Sequence, residues 1–167
     1  MNRAKGYNSG KGRQDRLIEE KIHDTYMNRS KPTDPTICPQ CRVVFTEDRW
    51  QWQPGSPKGA NEALCPACQR IQDKVPAGIL TLSGEFFAEH RSEILALLHN
   101  KVEAQKAQHP MKRLMEIKDQ DDGSAVITFT DTHLPRGVGQ AIESAYSGDL
   151  DIQYTDEANL VRVYWQR

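Results

Sequence analysis

No apolar run in this chain approaches the roughly 20 residues that a membrane-spanning helix needs, which excludes an integral helical membrane protein. The opening residues, MNRAKGYNSGKGRQDR, are basic and lack an apolar stretch, so nothing in them reads as a secretion signal. A cytoplasmic location is expected on both grounds. Apolar material is scarce throughout. Hydrophobic residues make up 37% of the 167 and aromatic residues 7%, which implies a modest core with polar tails or surfaces attached. Cysteine is scarce as well, with four residues, and in a reducing compartment these are not expected to form structural disulfides.

Enzyme signatures are equally absent. The five histidines form no H-x-x-x-H or H-E-x-x-H pair, and no serine sits in a nucleophile-elbow pattern. Arg136-Gly-Val-Gly139 lacks the lysine and the spacing of a phosphate-binding loop, and Asp121-Asp122 belong to a turn. No enzymatic activity and no small-molecule substrate are expected.

What is present is distributed unevenly. The net charge of −1 hides a basic start, where residues 1–31 carry eight Lys/Arg against four Asp/Glu. Residues 119–167 carry three against nine. A basic arm therefore precedes an acidic C-terminal third.

The pattern along the chain predicts an α+β protein in four parts. Residues 1–36 read as a basic flexible arm, with a short helix from about Gln14 to Arg29 placed by Leu17, Ile18, Ile22 and Tyr26. Residues 37–78 hold all four cysteines and read as a zinc ribbon. Residues 79–109 read as a long linking helix, capped by Ser83 and ending before Pro110, with Phe87, Ile94, Leu95, Leu98 and Val102 on its apolar side. Residues 110–167 read as a ββαββ domain with an antiparallel or mixed sheet. Its strands lie near 114–117, 126–130, 150–154 and 160–165, around a helix capped by Asp131 or Thr132.

Cys38-Pro-Gln-Cys41 and Cys65-Pro-Ala-Cys68 carry the clearest chemistry. Two thiolates three positions apart take adjacent corners of a tetrahedron, so two such knuckles close a four-sulfur site around one structural Zn²⁺. The 23 residues between them suit a ribbon hairpin. A redox pair is the competing reading, but it calls for a strand-to-helix junction in a βαβ fold, which surrounds neither motif. Trp50 and Trp52 lie between the knuckles. One reading has an indole covering the metal site, and the other offers a base-stacking face beside Arg42, Arg49 and Lys58.

A basic arm and a small zinc module point to RNA. The phosphate-contacting residues expected in the arm are Arg3, Lys5, Lys11, Arg13 and Arg16, joined by Arg42, Arg49 and Trp52 in the ribbon. In the C-terminal domain, Lys112, Lys118 and Arg136 form a backbone-binding patch if they converge. Alternation places Arg113 on the strand face opposite Lys112 and Lys118. His133 could add donors at a helix N-terminus that holds a phosphate.

The segments CPQC-x3-F, CPACQRIxDKVPAG with LxLSGxF, HPMKRLMEI, TFTDTHLPRGVGQAIESAY and VRVYW resemble a bacterial zinc-ribbon family over about residues 37–167. The C-terminal half is more remotely similar to the archaeal and eukaryotic adaptor that escorts the large ribosomal subunit during export and maturation. That adaptor has more cysteine pairs, and later barrel domains that this chain does not show. The resemblance implies contact with a ribosomal subunit or ribosomal RNA, and with ribosomal proteins, in assembly, hibernation or quality control. The alternative is a protein–protein adaptor, for example in transcription.

Overall fold

A computed structural model describes residues 31–155 and 159–167 together with Tyr26. The arm residues Arg3, Lys5, Lys11, Arg13 and Arg16, the helix expected near 14–29 apart from Tyr26, and the turn at Asp156 and Glu157 lie outside the described residues.

The cysteine module is built on a small sheet. Strands β1 (Thr36–Ile37), β2 (Val44–Thr46) and β3 (Arg49–Gln51) pair antiparallel, and β4 (Asn61–Glu62) joins β1 in parallel. Only Glu47 and Asp48 separate β2 from β3, and both have positive φ, 51° and 65°. That backbone matches the right-handed twist of a two-residue hairpin, and the Asp34 carboxylate holds it by accepting from the Glu47 amide at 3.0 Å. Helix α1 (Pro66–Asp73) follows, with Pro66 in the opening turn, where a missing N–H costs nothing.

The larger half is a five-stranded mixed sheet. Strand β5 (Gly78–Ser83) leads into α2 (Glu85–Gln108), then come β6 (Leu114–Asp119), β7 (Ala125–Phe129), α3 (His133–Tyr146), β8 (Asp149–Thr155) and β9 (Leu160–Gln166). The order across the sheet is β6-β7-β5-β9-β8, with β5 antiparallel to β7 and parallel to β9. Alternate residues of the strands face the helices and pack with the predicted α2 stripe. Leu80, Leu82, Ile127, Phe129, Val163 and Trp165 are buried against Phe87, Ile94, Leu98, Val138 and Ile142. Gly139 lets α3 approach closely, since a Cβ there would sit 2.9 Å from side-chain carbons of both Leu150 and Val163.

Two expectations are corrected. The ββαββ domain begins a strand earlier, because Gly78–Ser83 alternates buried and half-buried residues and fills the sheet centre. The segment 79–109 is therefore strand plus helix. Ser83 does not cap α2, since it ends β5. The cap position is Gly84 at φ 102°, whose backbone lies against Arg167 too closely for any side chain. Among the described residues no helix is long and apolar enough to cross a membrane.

Candidate metal centre

The two knuckles reach the same point by different local routes. Cys38 follows β1, and the chain turns back on itself there, with the Arg42 amide donating to the Cys38 carbonyl and the Cys38 amide to the Val43 carbonyl, each at 2.9 Å. Cys65 is the N-cap of α1, and its sulfur accepts from the Cys68 amide at 3.4 Å. The four sulfurs all lie within 4.8 Å of one another. Cys41 and Cys65 sulfurs are 3.7 Å apart. A tetrahedron of thiolates with Zn–S bonds of about 2.3 Å has edges of about 3.8 Å, so the spacing fits a four-sulfur metal site. Cys38, Cys65 and Cys68 are buried and Cys41 is half-buried. Cys38, Cys41, Cys65 and Cys68 form a closed cluster that can hold one metal ion such as zinc, with Val43 and Ala67 buried in the same cluster.

Arg113 is the residue that alternation misplaced. Its side chain is not on an open strand face but buried at 7% exposure, and its guanidinium donates to Cys41 Sγ at 3.1 Å and to Cys68 Sγ at 3.3 Å. It lies in the connection between α2 and β6, ahead of Leu114, so the strand period does not govern it. A bulge between Leu114 and Glu116 breaks that period further. With thiols alone, the Cys65 hydrogen bond holds Cys41 far below the ordinary thiol range, at about 4; burial opposes this and Arg113 adds to it. Cys65 is pushed up by the same hydrogen bond and by burial. Burial pushes Cys68 up to about 11.

The two tryptophans divide. Trp50 meets Phe45 edge-on at a centroid distance of 5.4 Å and packs against the cysteine cluster. Trp52 is 38% exposed, but its Nε1 donates to the Lys106 carbonyl at 2.8 Å and the Arg113 guanidinium lies 5.4 Å from its ring centre. It joins the module to the end of α2.

The remaining candidates scatter. Arg42 donates to the Ser56 hydroxyl, and Arg49 is exposed on β3. Lys112 reaches Gln105 Oε1 at 3.3 Å. Lys118 lies on β6 at one edge of the sheet, while Arg136 reaches the Tyr154 hydroxyl on β8 at the other, so the patch of Lys112, Lys118 and Arg136 does not converge. The helix start beside His133 is already supplied with an acceptor. Asp131 Oδ1 accepts from the amides of His133 and Leu134 at 2.8 and 2.9 Å, so the protein's own carboxylate takes those donors.

One feature of the junction escaped the sequence reading altogether. An open trough of about 1250 Å³ runs between the cysteine module and the α2–β6 connection, lined by Tyr26, Phe45, Arg49, Trp50, His109 and Lys112 among others. Tyr26 is held there by its hydroxyl donating to Asp73 at 2.9 Å and by the Arg70 guanidinium over its ring.

The fold and the site together define an α+β protein with a four-cysteine module docked on a mixed five-stranded sheet. Comparison with protein-family models, with curated proteins and with solved structures gives no match for this chain.

Proposed function

We propose that this is a non-enzymatic zinc-ribbon protein that binds the ribosome through ribosomal RNA, in assembly, hibernation or quality control. The observation that carries the reading is the trough and the aromatic and basic side chains that line it. Tyr26, Phe45 and Trp50 line the trough together with Lys31, Arg49 and Lys112, and with Asp48, Glu62 and Asp131; the same chain carries eight Lys/Arg in residues 1–31. Aromatic and basic side chains in one trough, on a chain with a basic N-terminal segment, suit a phosphate backbone with unpaired bases. Four cysteine ligands leave zinc no open position, which fits a structural metal.

The acidic third meets the trough at Asp131, and other acidic residues lie away from it. Asp149 and Asp151 are exposed on β8, the edge strand at the far side of the sheet. That edge favours the second reading, an adaptor that holds a basic protein segment. Sucrose-gradient fractionation of the full chain, in growth and stationary phase, separates the two. Co-migration with a ribosomal subunit that weakens in Arg49→Gln/Lys112→Gln supports the RNA reading. Migration away from ribosomal particles, with a protein partner released on Asp149→Asn/Asp151→Asn, supports the adaptor.

A further inference from the structure

Among the described residues, Arg70 and Arg113 are the buried cations. Arg70 serves its own helix end, donating to the Val75 carbonyl at 3.0 Å. Arg113 does something different. Its Nη1 and Nη2 reach the sulfurs of Cys68 and Cys41, and Nη2 also lies 3.9 Å from Cys65 Sγ. Its Nε donates to the Pro110 carbonyl at 2.7 Å, and its backbone amide donates to Thr130 Oγ1 at 2.9 Å. The Thr130 hydroxyl in turn donates to the Met111 carbonyl at 2.6 Å. One residue is thus pinned to the cysteine cluster by its fork and to the end of β7 by its backbone.

We propose that Arg113 is the counter-cation of the metal centre, and that through it metal binding and docking of the sheet-bearing half onto the cysteine module form one coupled equilibrium. Four thiolates around a divalent ion carry a net charge of minus two, and burying that charge without a partner is costly. A guanidinium halves it. Its fork is preorganised and weakly hydrated, so it donates to several sulfurs at smaller desolvation cost than an ammonium. Of the module's own cations, Arg42, Arg49, Lys58 and Lys74 are exposed on its surface, and the buried Arg70 donates to the Val75 carbonyl. The neutralising charge comes from 45 and 72 residues further along the chain than the sulfurs it bonds. Linkage is reciprocal. Whatever the guanidinium adds to metal affinity, the metal adds to holding 109–113 in place. His109 and Lys112 of that segment line the trough, so the metal also sets the position of one trough wall. The inference rests on the cluster holding a metal, but not on what the trough binds.

The test uses the full chain, with Zn²⁺ titrated against a chromophoric chelator and Co²⁺ as a spectroscopic probe. Arg113→Met is expected to weaken zinc binding roughly 10–100-fold, the range typical of removing a hydrogen-bond partner from metal ligands, with Arg113→Lys recovering part of it. The thiolate-to-cobalt charge-transfer band of Arg113→Met is expected at lower energy, because sulfurs without N–H donors hold their electrons less tightly. In the unmutated protein, stripping the metal is expected to speed amide exchange at residues 109–113 as well as at the knuckles, while β5, β7 and β9 stay protected. Unchanged affinity and an unchanged band in a folded Arg113→Met protein would overturn the inference while leaving the metal site standing. So would unchanged exchange at 109–113 after stripping, a result that needs no variant to fold. A chain purified under reducing conditions that binds neither Zn²⁺ nor Co²⁺ would overturn the metal site and the coupling together.

Discussion

The cysteine module and the sheet-bearing half differ in what they have available to bury. Around the cysteines, the cluster consists of Cys38, Val43, Cys65, Ala67 and Cys68, with Cys41, Trp50, Leu64 and Met111 half-buried beside it. The sheet and its two helices bury sixteen residues in one continuous core, with Trp165 and Phe87 fully enclosed. Small modules that cannot assemble such a core depend on a metal or cross-links for their folding free energy. One chain therefore uses two sources of stability, and they meet at Arg113. Perturbing each source in turn tests how separate they are.

Metal removal has the largest expected effect. Structural zinc contributes on the order of 10 kcal/mol to folding in comparable small sites. Cys65→Ser, which removes a ligand while keeping an oxygen that can cap α1, is expected to release the metal and leave the module sensitive to protease. The sheet core contains no cysteine and is expected to retain its secondary structure. Limited proteolysis with mass spectrometry of the fragments checks both parts at once. Collapse of the whole chain would show that the two halves share one source of stability.

The reverse experiment comes next. Trp165 lies at 0% exposure on β9, and its Nε1 donates to the Ser147 carbonyl at 2.8 Å. Trp165→Ala is expected to cost about 3–5 kcal/mol, as large aromatic truncations in cores do. Denaturant unfolding followed by far-UV circular dichroism measures that loss. Zinc stoichiometry by elemental analysis is expected to stay at one per folded chain. Loss of metal at denaturant concentrations where the variant is still folded would mean that the core positions the sulfurs directly.

Helix α3 offers a smaller perturbation within the sheet-bearing half. Asp131 satisfies two amides at its start. Asp131→Ala is expected to cost about 1 kcal/mol, the usual value of an N-cap, with metal affinity unchanged. A thermal melt of the zinc-loaded protein reads it. Asp131→Asn, which keeps an oxygen acceptor, is expected to recover most of the difference.

The contrast between the halves also explains which parts are legible in the sequence. The knuckles are readable because ligand spacing is a local property: Cys38 and Cys41, like Cys65 and Cys68, are fixed by a single turn. The α2 stripe is readable for the same reason, since Phe87, Ile94, Leu98 and Val102 repeat at helical spacing and are all buried. Strand β5 is not, because Ile79-Leu-Thr-Leu82 is short and runs directly into the helix signal. Only its partners β7 and β9, distant in sequence, make it the centre of a sheet. Arg113 is illegible in a stricter sense. In sequence it is one of three cations around a strand, and nothing near it says that it is buried. Its environment is set by sulfurs far back in the chain. The charge of a tetrathiolate centre is the available signal, because a buried dianion requires a cation from somewhere.

The smallest expected effect on stability belongs to the arm, where a functional effect should stand apart from it. Residues 2–16 contain one aromatic residue, Tyr7, and mostly Gly, Asn, Lys and Arg otherwise, so they have little apolar surface to contribute to either half. Deleting them is expected to leave the melting temperature and the metal content unchanged. Five of the cations assigned to phosphate binding, Arg3, Lys5, Lys11, Arg13 and Arg16, disappear with the deletion. Each phosphate that is no longer neutralised lowers the slope of log affinity against log salt by about 0.7 on single-stranded RNA. Binding to a ribosomal RNA fragment, measured across a salt series, is therefore expected to weaken at low salt and to flatten. An unchanged slope with unchanged affinity would show the arm to be solvated charge and leave any RNA binding to Arg49 and Lys112 at the trough. A fall in melting temperature of several degrees would show instead that the arm packs on one of the halves, and that the two sources of stability have a third beside them.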